Sequence, residues 1–150
     1  MISRIYVTLK GKINFINSYL IDHKLENEKI FKIAKALTNP ILEEFSINKF
    51  PKVKNFSYAI EIGFKPGVTD NIGHTVEETI LDLLQLKEKN NLAVYTSKIF
   101  LISNSNLENA KKIAFSLHNP LIERFYLASF REIKKNGLPL KVPKVILKKT

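Results

Sequence analysis

The chain has 150 residues, enough for one medium domain or two very small ones, and its 45% apolar content, with ten Phe and five Tyr, supports a packed core and argues against disorder. It contains no cysteine, which excludes disulfides, thiolate metal sites and a cysteine nucleophile of the kind a glutaminase needs. The formal net charge of +10 comes mainly from lysine, with Arg4, Arg124 and Arg131 as the arginines; without a nucleic-acid motif this reads as a lysine-biased solvated surface, and nucleic acid is not the expected partner.

Ile2 to Leu9 is rich in β-branched and aromatic residues and predicts a strand that stops at Lys10-Gly11. Lys12 to Asp22 predicts a second strand, and Leu25 to Thr38 a helix with Ile30, Ile33, Ala34 and Leu37 on one face. Asn39-Pro40 ends that helix, because the residue before proline is pushed out of the helical region. A strand over Ile41 to Ile47 and a polar connector over Asn48 to Asn55 follow. Tyr58, Ile60, Ile62 and Phe64 alternate as a strand that Pro66 and Gly67 stop, and an amphipathic run from His74 to Leu86 predicts the next helix. After a solvated turn at 87–91, Leu92 to Ser103 reads as a strand or strand pair, Asn106 caps a helix to His118, and Leu121 to Leu127 closes the series as a strand. Lys134 to Gly137 reads as a turn, and Leu138 to Thr150 alternates apolar residues with lysines around Pro139 and Pro143. No apolar run reaches the length of a membrane span and no signal-peptide pattern opens the chain, so a soluble, cytoplasmic protein without membrane contact is expected.

The chain repeats itself. Ile33 to Phe45 matches Ile113 to Phe125 through the shared Asn-Pro-(Ile/Leu) segments Asn39-Pro40-Ile41 and Asn119-Pro120-Leu121. Tyr19-Leu20-Ile21-Asp22 matches Phe100-Leu101-Ile102-Ser103, and the run from Tyr6 to Gly11 resembles the run from Glu61 to Gly67, with Pro66 gained. An internal duplication explains these matches. The copies are unequal: eight residues separate Lys10 from Tyr19, whereas thirty-four separate Lys65 from Phe100. The first copy therefore lacks a loop and a helix, and it is expected to share a core with the second.

Phe64-Lys65-Pro66-Gly67-Val68-Thr69-Asp70-Asn71-Ile72-Gly73 resembles the K-P-G-V-x-D-x-x-G signature of PurS, the small subunit of phosphoribosylformylglycinamidine synthase, and the chain is similar to the PurS-like tandem that begins some single-chain forms of the synthetase PurL. The resemblance covers residues 2 to 130, and the Asn-Pro-(Ile/Leu) segments look like the family's N-P-V-I-E ending. It implies an α+β fold of two PurS-like halves, antiparallel strands with helices on one face. Residues 1–50 would be the abbreviated half, 56–130 the complete one and 131–150 a basic connector. It also implies a non-catalytic assembly component of that glutamine-dependent, ATP-using ligase in purine biosynthesis. The expected partners are PurL-like synthetase and glutaminase chains, with self-association through strand edges as a further expectation.

No constellation of residues points to catalysis, a metal or a cofactor. His23, His74 and His118 are far apart and lack metal-ligand spacing. Glu77 and Glu78 diverge on a helix and read as solvated first-turn carboxylates. Asp70 reads as a turn or cap residue, and Lys65 as a strand-end lysine. The resemblance implies a partner-contact role for the loop residues Lys65, Pro66, Gly67, Asp70, Asn71 and Gly73. The competing readings are a remnant of a split or decayed synthetase gene and a lysine-rich nucleic-acid-binding module.

Overall fold

The structure, a computed structural model, describes residues 2–11, 13–86 and 92–139. The turn predicted at 87–91 and the alternating stretch at 140–150 lie outside the described residues, as does Lys12. In chain order the described elements are β1 (Ile2–Leu9), β2 (Phe15–Asp22), α1 (Asn27–Leu37), β3 (Glu43–Ile47), β4 (Tyr58–Phe64), α2 (Asn71–Leu83), β5 (Ala93–Ile102), α3 (Leu107–Leu117), β6 (Glu123–Ser129) and α4 (Phe130–Asn136). The fold is α+β, with a six-stranded antiparallel sheet in the order β3-β1-β2-β5-β4-β6. No helix among the described residues is long and apolar enough to cross a membrane.

The strand order is the same read from either edge if β1, β2 and β3 are exchanged for β4, β5 and β6. The registers agree. Tyr6 pairs with Ser18 and Ser46, and its sequence match Glu61 pairs with Ile99 and Tyr126 at the corresponding ladder positions. At the centre Phe15 faces Phe100 and Tyr19 faces Thr96, the reciprocal pairing of two related strands. The residues matched in sequence thus hold equivalent places about an approximate two-fold axis between β2 and β5. The second half alone carries α2 between its first two strands.

Strand alternation sorts side chains onto two faces. On one face, Ile5, Val7, Ile21 and Val94 pack with Ile30 and Ile33 of α1 and Val76 and Ile80 of α2, while Ile60 and Ile62 pack with Ala114 of α3. Three helices therefore share the face that the sequence pattern predicts. The other face is covered too: Tyr6, Ile16, Ala59, Ile99 and Ala128 lie under Phe56, Ile133 of α4 and Leu138, with Phe50 and Val53 beside them. The turn predicted at Lys134 to Gly137 is instead the end of α4, stopped at Gly137 with φ +66°. A reciprocal capping box between Ser129 and Glu132 starts this helix.

The Asn-Pro segments have a local cause. Asn39 Oδ1 accepts the N–H groups of Ile41 and Leu42, and Asn119 Oδ1 accepts that of Leu121. Glu43 and Glu123 each reach back to the Asn N–H, at 2.9 and 2.7 Å. Lys10 Nζ donates to the Pro40 carbonyl, and Lys65 Nζ donates to that of Pro120. Both turns are held the same way, and both leave apolar side chains outside, with Ile41 80% and Leu121 83% exposed.

Tyr6 sits under this second layer, and burial pushes its phenol from 10.0 up to about 12, with the Arg4 guanidinium pulling the other way. The neutral form is favoured in the native state, so the associated stability is intact below pH 10. As pH rises further the unfolded phenol ionises first, and about 2–3 kcal/mol should be lost by the time the native phenol ionises too. Urea melts across this window should show that loss, and Tyr6→Phe should reduce it.

Candidate functional site

Lys65 to Val68 forms a tight turn closed by the Val68 N–H on the Lys65 carbonyl at 3.1 Å. Pro66 takes the second position and Gly67 the third, where φ is +89°, a conformation that glycine adopts without the Cβ penalty of other residues. The chain then enters α2 at Asp70. Asp70 Oδ1 accepts the Gly73 N–H at 2.8 Å as an N-cap, and its carboxylate also takes the Thr96 N–H at 2.7 Å and the Thr96 hydroxyl at 2.9 Å.

The Thr96 bond follows from the sheet. The β4–β5 ladder ends at Gly63 and Ser97, which leaves the next N–H groups of β5 on that side without strand partners. Asp70 takes that of Thr96, and Glu77, two helical turns further along α2, takes that of Val94 at 3.0 Å. Glu77 is accordingly buried, whereas Glu78 is exposed, which corrects the expectation that both are solvated. Gly73 lets α2 lie this close: a Cβ there would stand 2.5 Å from the Val94 carbonyl oxygen. Gly73→Ala is expected to lower stability by about 1–3 kcal/mol in denaturant melts, although alanine is the better helix former.

On the opposite side of the sheet, Arg4 is 4% exposed. Its guanidinium donates to Glu61 Oε2 at 2.5 Å, to the Ser18 hydroxyl at 2.9 Å and to the Pro139 carbonyl at 2.6 Å. Ser97 donates its hydroxyl to the same Glu61 oxygen at 2.6 Å. The pair is thus neutralised and hydrogen-bonded on both sides, while Arg4 Nε stays buried without a partner among the described residues. Beside the pair opens a cleft of about 520 Å³, floored by Gly63 and bounded by the Lys65–Val68 turn, Tyr95, Arg124 and Tyr126. Burial raises the Tyr95 phenol above its usual value, and the carboxylates of Asp22 and Glu77 add to this.

Of the loop residues singled out in the sequence, Lys65, Pro66, Gly67 and Asp70 line this cleft. Asn71 and Gly73 lie in the first turn of α2 and do not. Arg4, Glu61, Ser97 and Arg124 escaped sequence reasoning. Arg4 and Glu61 each interrupt a strand of apolar residues, and that interruption was the available signal. His74 is exposed and lies 3.2 Å from Glu77, and His118 bonds the end of α3 through its Nδ1. No group of three or more His, Cys, Asp or Glu among the described residues could hold a metal ion.

A scan of the chain against protein-family models finds no match, and a search of curated proteins finds no relative.

Proposed function

We propose that the chain is a cytoplasmic, non-catalytic, PurS-like assembly component of phosphoribosylformylglycinamidine synthase, working beside PurL-like synthetase and glutaminase chains. The observation that carries this reading is the run Lys65-Pro66-Gly67-Val68-Thr69-Asp70-Asn71-Ile72-Gly73, which holds the spacing of the PurS signature. The geometry around that run favours a scaffold over a reaction centre. Lys65 is bonded to the Pro120 carbonyl, Asp70 to the α2 entrance and to Thr96, and Gly73 to close helix–strand packing. Each of these residues has a structural task, and none is poised beside another as a nucleophile and its base.

A scaffold needs surface for partners, and the two Asn-Pro turns offer it. Ile41 and Leu42 project from one, and Leu121 and Ile122 from the other, with Phe31 and Phe115 exposed on the helices before them. The duplication therefore presents two related apolar patches. Affinity capture of the tagged chain from its native cell, with bound chains identified by mass spectrometry, tests the reading. Recovery of synthetase and glutaminase chains is expected. Their absence beside a folded, well-expressed bait would turn the reading toward a remnant of a split gene.

A further inference from the structure

Gly63 lies inside β4, where its neighbours across the ladder are Ser97 and Arg124. Glycine weakens a strand interior, so its presence there calls for a cause. Two ordinary causes are absent. The residue does not have positive φ, and a Cβ built on it would meet nothing nearer than Ser97 Cβ at 3.6 Å and the Thr96 carbonyl at 3.7 Å. The backbone and the packing would both accept alanine. What the missing side chain provides is the floor of the cleft beside Glu61. The matched position in the first half, Thr8, is buried and carries a side chain, so this open floor is particular to the second half.

The charges around the floor are unequal. Arg4 and Glu61 in its wall neutralise each other, and the Asp70 carboxylate is occupied by three donor groups on Gly73 and Thr96. The Arg124 guanidinium has no hydrogen bond or ion pair among the described residues, and Lys65 spends one donor on a carbonyl that leaves its charge intact. Tyr126 adds an aromatic wall directly across from Glu61 in the register. A volume of about 520 Å³ falls within the range of small-molecule sites.

From this arrangement we infer that the cleft binds a small organic anion with a flat body. Its carboxylate or phosphate lies on the Arg124 fork with Lys65 beside it, and its body rests on Gly63 against Tyr126. The inference does not rest on the assembly reading, although the cleft shares Lys65, Pro66, Gly67 and Asp70 with the motif that carries it and Lys65 is bonded to Pro120 of the second Asn-Pro turn.

Phenyl phosphate and benzoate share the flat body and differ in the anionic group; inorganic phosphate and phenol each carry one feature alone. Amide chemical shifts of the full chain, followed through titration with these four probes, should show saturable movement of Gly63 and Arg124 with phenyl phosphate or benzoate. The better of these two names the preferred head group. Arg124→Gln should weaken that binding about tenfold or more, the loss of charge-assisted hydrogen bonds. Gly63→Val should abolish it with the melting curve retained, and Gly63→Ala, the gentler filling of the floor, should weaken it. The inference is overturned if neither anion moves Gly63 saturably. It is equally overturned if inorganic phosphate or phenol matches the anions, or if the Gly63 variants bind as the parent does.

Discussion

Replacing Arg4 with methionine is expected to destabilise the protein by about 3 kcal/mol. The loss does not measure the worth of the ion pair itself. Arg4 is 4% exposed and Glu61 15%, so methionine would leave a carboxylate in a poorly solvated wall with Ser97 as its remaining side-chain donor. It would also strand the Ser18 hydroxyl and the Pro139 carbonyl, which lose their donor. The double variant Arg4→Met/Glu61→Met removes both charges and should recover much of the loss, because a desolvated pair gains little over apolar packing. Urea melts of the two single variants and the double variant complete the cycle. Purely additive losses would contradict the account of Arg4 and Glu61 as one unit.

Asp70→Ala is expected to cost about 2–4 kcal/mol, summed from a lost N-cap of about 1 kcal/mol and an unsatisfied Thr96 N–H of about 1–3 kcal/mol. The carboxylate joins α2 to β5 where the β4 ladder has ended, so its removal should loosen the helix and the start of β5 together. Amide hydrogen exchange should show reduced protection at both Gly73 and Thr96. A change at Gly73 alone would mean that Asp70 is a cap and nothing more. Lys65→Met offers a contrast: its bond to Pro120 is exposed, and a loss of well under about 1 kcal/mol is expected.

The difference between these residues also marks what was legible in the sequence. Short-range signals read correctly. The alternation in Tyr58 to Phe64, the helix stops at Asn39-Pro40 and Asn119-Pro120, and the cap at Asn106 each depend on residues a few places apart. Asp70 could be read as a cap, but its bond to Thr96 spans 26 positions and left no local mark. Glu77 and Glu78 look alike in sequence, and only the place where β4 stops decides which of them is buried.

The covering of the second face left less trace in the strands themselves. An antiparallel strand with polar residues at alternate positions reads as half-solvated, which sends Arg4 and Glu61 outward. That face is instead covered by Phe50, Phe56, Ile133 and Leu138, which pack on Tyr6 and Ala59, and by Pro139, whose carbonyl accepts from Arg4. The capping box at Ser129 and Glu132 could have disclosed α4, but the lysines at 134 and 135 gave that stretch the look of a connector. The cleft was hidden for the same reason: its floor and walls come from five strands and a turn, and only the turn carried a motif.

Purified chain mixed with the synthetase and glutaminase of its own cell, followed by glutamine-dependent amidine formation, tests the assembly account most directly. The account predicts that glutamine-dependent turnover rises on adding the chain, while turnover supplied with free ammonia changes little. It also predicts that Leu121→Asp, at a side chain 83% exposed and thus outside the core, removes the rise without altering the melting curve. Glutamine-dependent turnover indifferent to the chain, with no complex on gel filtration, would contradict it.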